Sequence, residues 1–396
     1  MRPPPHRILD RKKVYRLAAE HLQAHLQFKD YKRKTSAQVL WSLLLAAAAR
    51  ITSLSDACQR LRDVPSDETA RKALLATLPD YGALQRQLNA ALAGHLPKTL
   101  RTPLQRLAID LTLIPYHGQP FHDLDEVYRG QAKDGTSHFH AYATAYVVRH
   151  GHRYTVALTG VKKGEPLKDV VQRLLRQAAG VGIRPRLLLL DRGFYSVAVI
   201  RSLQAARTPF LMPVVCHGRK PDHPLGPSGS QVFKAMKCSG WFADTLGDPR
   251  KRTATVQICV KCRNVRGERG KTGREPWSYA LWGLGPKRFD WVQDTDRSRF
   301  GIETSSRQMN QCRIRTTTPK FAVRFLDVAI GFLLRNLWVW LHDAVLSGPR
   351  RGGRVYHLDR LRLRTMLLWL QEVAIAMYEL GEIVSCERPV PERLTS

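Results

Sequence analysis

Carboxylates are scarce in this 396-residue sequence: 33 Asp and Glu stand against 64 Lys and Arg, leaving a formal charge of +31. The excess points to a polyanion, with nucleic acid first and an anionic membrane surface second. Long apolar runs are also missing. "VLWSLLLAAAA" is too short to span a bilayer, and "FLDVAIGFLLRNLWVWLHDAVL" is interrupted by Asp327 and Arg335. Both read as buried core helices, so no membrane partner is expected. "MRPPPHRILDRKK" is not followed by the apolar stretch of a signal peptide. The seven cysteines are an odd number without regular spacing, which suits a reducing cytoplasm better than a disulfide framework. Cys259 and Cys262 in "CVKC" have metal-ligand spacing, but no second pair completes a zinc site and the run alternates like a strand. Buried thiols are the better expectation. No internal repeat is present.

What remains is enough apolar material, 43% of residues, for a large core. Residues 1–100 pattern as helices. Ser55 and Ser66 are candidate N-caps, and the Pro65–Ser66 break gives a helix-turn-helix-like DNA-binding segment offering Arg71 and Lys72. From 104 the texture changes to strand, strand, strand, helix, strand, helix, strand, the signature of a mixed α/β sheet. "LLLLD" reads as a central strand covered on both faces and ending on Asp191, with Gly193 expected to allow a tight exit. Residues 216–287 break the rhythm with Gly/Pro/basic loops. They are expected to form a β-rich insertion and not a continuation of the sheet. Helices return over 288–345, and 346–396 form a basic linker and a last amphipathic helix.

Two aspartates occupy matching places: Asp110 inside "LAIDLTLIPY" and Asp191. A carboxylate in an apolar strand is costly unless it meets a cation. Later, a helix over "DRSRFGIETSSRQMNQCR" sets Asp296, Arg299, Glu303, Arg307 and Asn310 within about 80° of arc. Three carboxylates on a sheet and a helix can hold two divalent cations about 3.5–4 Å apart, the arrangement used for displacement at phosphorus. Arg299, one turn before Glu303, would neutralise a phosphate.

The order strand-Asp, strand-Asp, β-rich insertion, helix-Glu resembles the RNase H-like DDE transposases of insertion sequences, in the branch with a Tyr-x2-Arg-x3-Glu-x6-Lys signature. Arg299-x3-Glu303 matches, and "DRGFYS" is similar to that branch's second-Asp motif. Asp296 stands at the Tyr place and Asn310 at the Lys place, with Arg307 or Arg313 as substitutes.

The resemblance implies an RNase H-like mixed sheet over 104–215 and 288–345, with Asp110, Asp191 and Glu303 holding two Mg²⁺ (Mn²⁺ substituting). It also implies cleavage of double-stranded DNA at element ends, strand transfer into target DNA, and a homodimer working on DNA in a prokaryotic nucleoid. In such enzymes a tryptophan of the insertion stacks on a flipped base; Trp241, Trp277, Trp282 and Trp291 are the candidates. The basic run Arg263, Arg266, Arg269, Lys271 and Arg274 would track the backbone, and Arg192 is a candidate phosphate contact or partner of a nearby acid. Two alternatives share these residues: an RNase H-like nuclease without strand transfer, and a domesticated DNA-binding protein with an inactive site.

Overall fold

The computed structural model describes residues 8–32, 35–97, 100–101, 104–118, 127–149, 152–266, 272–285, 287–299, 307–351, 353–355, 357 and 359–381. Its centre is a nine-stranded mixed sheet. In chain order the strands are β1 (Gln105–Pro115), β2 (Tyr128–Lys133), β3 (Thr136–Arg149), β4 (His152–Val161) and β5 (Pro185–Leu190). They are followed by β6 (Phe210–Pro213), β7 (Gly240–Gly247), β8 (Thr253–Arg266) and β9 (Thr272–Trp282). They lie in the order β2-β3-β1-β5-β6-β9-β8-β7, with β4 paired to the far half of β3. The β2–β3 hairpin closes through Asp134 and Gly135, both at positive φ (52° and 77°), the conformation that tight hairpins demand. Helix α6 (Leu167–Gly180) leads from β4 to β5, and α7 (Val197–Ala205) carries the chain from β5 to a parallel β6.

The segment 216–287 departs from its expected independence. β9 pairs antiparallel with all of β6, and β8 and β7 add beyond it, so the segment widens the central sheet. The reason lies in β6: "FLM" is buried, and its outer backbone edge needs a partner inside the protein. Cys259 and Cys262 fall in separate apolar clusters on opposite faces of this sheet, so the two thiols do not converge.

Alternation along the strands sorts the core into two layers. Leu107, Ile109, Leu188 and Leu190 face α6 and α7. Ala108, Leu187 and Leu189 face the other way, toward α8 (Phe289–Arg299) and α9 (Phe321–Leu341). The helices α1 (Arg11–His25), α2 (Ala37–Arg50), α3 (Leu54–Arg60), α4 (Asp67–Thr77) and α5 (Tyr81–Gly94) join this second layer. So does α10 (Leu363–Tyr378), which returns to pack on α1 and α2. Helix starts follow the capping rule: Asp10, Ser36, Ser53, Ser66 and Asp80 each accept from a backbone N–H of the first turn. Ser66 is a cap as expected, whereas Ser55 is not. Ser53 caps α3, and the Ser55 hydroxyl donates to Asp67 across the α3–α4 turn (3.1 Å). Among the described residues no single helix is long and apolar enough to cross a membrane. The bent pair α2–α3 passes on length and composition, but residues 40–49 of α2 are buried. Helix α9 is enclosed almost all round, and Asp327 and Arg335 are buried with it.

β4 would leave a bare sheet edge inside the protein, and side chains close it. The Asn336 amide of α9 accepts from Thr155 N (3.0 Å) and donates to Thr155 O (2.7 Å). Asn89 of α5 does the same at Leu158 (2.7 and 2.9 Å). At Gly160 the N–H donates to the Tyr81 hydroxyl (3.1 Å), and the carbonyl accepts from Arg173 (3.0 Å). Two amides and one Tyr–Arg pair thus replace a neighbouring strand. Asn336→Leu strands both Thr155 groups in an apolar layer and is expected to cost about 2–4 kcal/mol. Urea unfolding checks this: the midpoint falls with an unchanged slope, and an unchanged midpoint refutes the edge assignment.

Candidate active site

The parallel pairing of β1 with β5 runs through Ile109 opposite Leu190. The next residues along, Asp110 and Asp191, therefore leave the two strands abreast, about 5 Å apart by strand spacing. Both sit on the face that carries α8, since Ala108 and Leu189 two residues back belong to that layer. Each is half-buried, and Asp110 lies opposite Thr144 of β3. Beyond Asp191 the chain turns through a short 3₁₀ segment, Arg192–Phe194, into the Ser196-capped α7. Gly193 is not what permits this exit: its φ is ordinary and its surroundings are open.

Helix α8 brings a cation and a second acid to the pair. It begins at Phe289, seven residues before the patterned start at Asp296, because "FDWV" places Val292 in the apolar layer. At its far end the Arg299 guanidinium lies 3.2 Å from Asp191 Oδ1 and 3.5 Å from Asp296 Oδ1. Arg299 and Asp296 are buried (6% and 1% exposed), whereas the Asp191 side chain remains 47% exposed and open to a ligand. Burial pushes the Asp296 carboxyl above the usual carboxylate range; Arg299 opposes the shift and the negative charge of Asp191 adds to it.

Asp191, Arg192, Glu275, Trp277, Asp296 and Arg299 line one cavity of about 540 Å³. Burial also raises the Tyr279 phenol at its wall. Sequence reasoning missed Glu275 and treated Asp296 as a departure from a motif, not as an acid of the site. The alternation of β9 could have shown that Glu275, Trp277 and Tyr279 share one face.

Of the four candidate tryptophans, only Trp277 lines this cavity, and its indole N–H has no partner among the described residues. Trp241 stacks on Phe289 and Trp282 on Phe210, both as core contacts. Trp291 lies at the opposite end of α8. Arg263 faces Glu275 across the β8–β9 ladder. Exposed Arg274 donates to Lys237 O (2.9 Å), and Arg266 ends β8. Arg307 and Asn310 are exposed on a short helical turn. Arg313 lies against buried Asp327 and Tyr142, which gives it a role in the core. Arg71 and Lys72 are exposed on α4, each paired to an acid one turn back (3.4 and 2.7 Å). Glu303, Arg269 and Lys271 lie outside the described residues.

Asp110 and Asp191 are hard oxygen donors of the kind Mg²⁺ prefers, held side by side by the sheet. Among the described residues no three His, Cys, Asp or Glu side chains converge closely enough to hold an ion. The donor set fits a divalent cation as a pair awaiting a third carboxylate.

No family model and no curated protein matches the chain. Among solved structures it is similar to the piggyBac transposase in a synaptic complex with hairpin DNA, determined by cryo-EM. The TM-score is 0.51 at 12% identity, covering 98% of this chain and 84% of that one. The likeness is one of fold, and the sheet with its flanking helices is RNase H-like.

Asp296 makes the site's stability depend on pH. A carboxyl whose pKa is higher folded than unfolded costs stability once pH exceeds the unfolded value, and costs nothing below it. Arg299→Ala removes the cation that offsets this cost and is expected to destabilise by about 3 kcal/mol at pH 7. The deficit shrinks as pH falls toward 4 and Asp296 takes up a proton. Urea titrations of Arg299→Ala with and without Asp296→Asn check this; the double variant recovers most of the loss. A deficit that does not change with pH contradicts the assignment.

Proposed function

We propose that the chain is a DNA transposase of the DDE type, cutting DNA at the ends of a mobile element and joining those ends to a target. One observation carries this reading: the β1–β5 register sets two carboxylates abreast beneath a buried arginine, at the centre of an RNase H-like sheet. The similarity to a transposase solved with hairpin DNA supports it, as does the charge of +31. Asp110 and Asp191, joined by Glu303, would hold Mg²⁺, with Mn²⁺ as a substitute. When bound, the cation supplies charge neutralisation and water activation for in-line displacement at phosphorus.

The chain's own groups then have separable tasks. Arg299 reaches Asp191 and lines the cavity, so its guanidinium can pass from that carboxylate to a phosphate entering beside it. Arg192 lines the same cavity and adds a second positive charge. Trp277 offers an aromatic face and an unsatisfied N–H to a base drawn out of the duplex. Arg263 and Arg274 extend the basic surface along the β8–β9 ribbon, and α4 with Arg71 and Lys72 belongs to the helical DNA-binding segment. Two ends must be cut and joined together, so a homodimer on DNA is the working form.

The test uses a donor plasmid carrying the DNA that flanks this reading frame. Asp110→Ala, Asp191→Ala and Glu303→Ala are each expected to lower Mg²⁺-dependent cleavage by at least about a hundredfold while retarding end DNA as the parent does. Full cleavage by any one of them refutes the assignment of that residue. Cleavage by the parent without any joined product replaces the transposase reading with that of a hydrolytic nuclease.

A further inference from the structure

The end of α8 remote from Arg299 carries a second concentration of charge. Arg106 at the start of β1, Arg186 at the start of β5, and Lys287 and Arg288 just before α8 surround Trp291 in a cleft of about 370 Å³. All four cations are exposed, and none forms an ion pair with a described carboxylate. The acid nearest in sequence, Asp290, is turned to Lys261 (2.6 Å). Arg106 and Lys287 lie 5.8 and 5.9 Å from the Trp291 ring centre, and the ring is only half-buried. Asp290 is also felt by Arg288, but it is one acid, already bound to Lys261, against four cations; the excess charges repel one another, and an anion in the cleft lowers that cost. The first turn of α8 adds backbone N–H groups and the positive end of its dipole.

From these features we infer that the cleft is a second DNA-binding site, taking an unpaired strand with its phosphates on the cations and one base against Trp291. A base within a duplex cannot reach an aromatic ring without leaving its stack, so the ring selects single-stranded or frayed DNA. The volume lies in the range of pockets that admit one compact unit such as a nucleotide, and is too small for a duplex. The cleft and the carboxylate site occupy opposite ends of the same elements. From Arg186 to Asp191 along β5 is about 16 Å, and from Trp291 to Arg299 along α8 is about 12 Å. A strand seated in the cleft is thus held a few nucleotides away from the carboxylates by rigid sheet and helix. The inference rests on DNA being the partner, but not on the chemistry done to it.

Binding of a fluorescein-labelled octathymidylate to the full chain in EDTA, followed by anisotropy across a NaCl series, tests the site without cleavage. Lys287→Ala/Arg288→Ala is expected to weaken binding about tenfold, and to lower the slope of log affinity against log salt by about 1.4, the value for two single-strand phosphate contacts. Trp291→Ala is expected to weaken it about tenfold with an unchanged slope. Trp291→Phe, which keeps an aromatic core contact, recovers most of that loss. Lys162→Ala/Lys163→Ala removes the same charge from an exposed loop after β4 and should leave binding as it was. Equal losses in the two double variants, or no loss at Lys287 and Arg288, overturn the site. So does competition by thymidine monophosphate as effective as that of the octamer, which would mark a small-molecule pocket. Cleft-dependent binding by a chain that cleaves no DNA supports the cleft and sinks the transposase reading alone.

Discussion

The parallel pairing of β1 with β5 is the constraint on which the rest of the molecule depends. A side chain's face is fixed by register, so a slip of one residue would send Asp110 into the layer beneath α6 while Asp191 stayed above it. Ala108 and Leu189 lock the register on one face, and Leu107, Ile109, Leu188 and Leu190 lock it on the other. The leucine run before Asp191 is therefore a positioning device. Its apolar body cannot shift along the strand without exposing methylenes at about 0.8 kcal/mol each. Everything outward from this pair follows from it: α6 precedes β5, β3 closes the far side of β1, and β6 extends the near side toward β9.

The same economy of positions governs the charges. In a chain with roughly twice as many cations as anions, the two acids paired at the site are held with unequal burial. Asp296 is sealed and Asp191 is open, although one guanidinium touches both. Asp191 is the acid most open to a ligand, whereas Asp296 lies almost fully covered in the wall of the same cavity. Its buried charge serves to hold the guanidinium in place while the partner on the open side is exchanged. At the other end of α8, Lys287 and Arg288 form no ion pair with a described acid, and the helix thereby presents two differently made cationic ends.

Much of this was legible in the sequence, because local rules decided it. The break between a helical first hundred residues and a strand-rich middle, the covered leucine strand and the two aspartates all follow from periodicity and from the cost of burying a carboxylate. Helical spacing sets Arg299 on one face with Asp296, and the two side chains touch. The sequence did not reveal features decided by distant pairing. The union of β9 with β6 depends on a strand edge that local patterning cannot see. Asn89 and Asn336 read as ordinary polar residues on helices, yet they complete a strand from 69 and 181 positions away. Ser53 and Ser55 are equivalent by composition, and only the start of α3 separates them. Asp296 was discounted because a motif asked for tyrosine there, although its helical spacing from Arg299 already made it a partner.

Arg299 connects these levels. Its two acids are not interchangeable: the Asp296 carboxylate is destabilised by burial, so the pair it forms with Arg299 is the one the protein loses most by breaking. The Asp191 contact is half in water, where an ion pair contributes little. On the proposed reading, an incoming phosphate would meet an arginine that releases the weaker partner and keeps the stronger. Release would leave Asp191 beside Asp110 without that guanidinium, a condition that favours a cation at the pair. On the proposed reading, seating the phosphate and readying the carboxylates are one event, set by which side of Arg299 is buried.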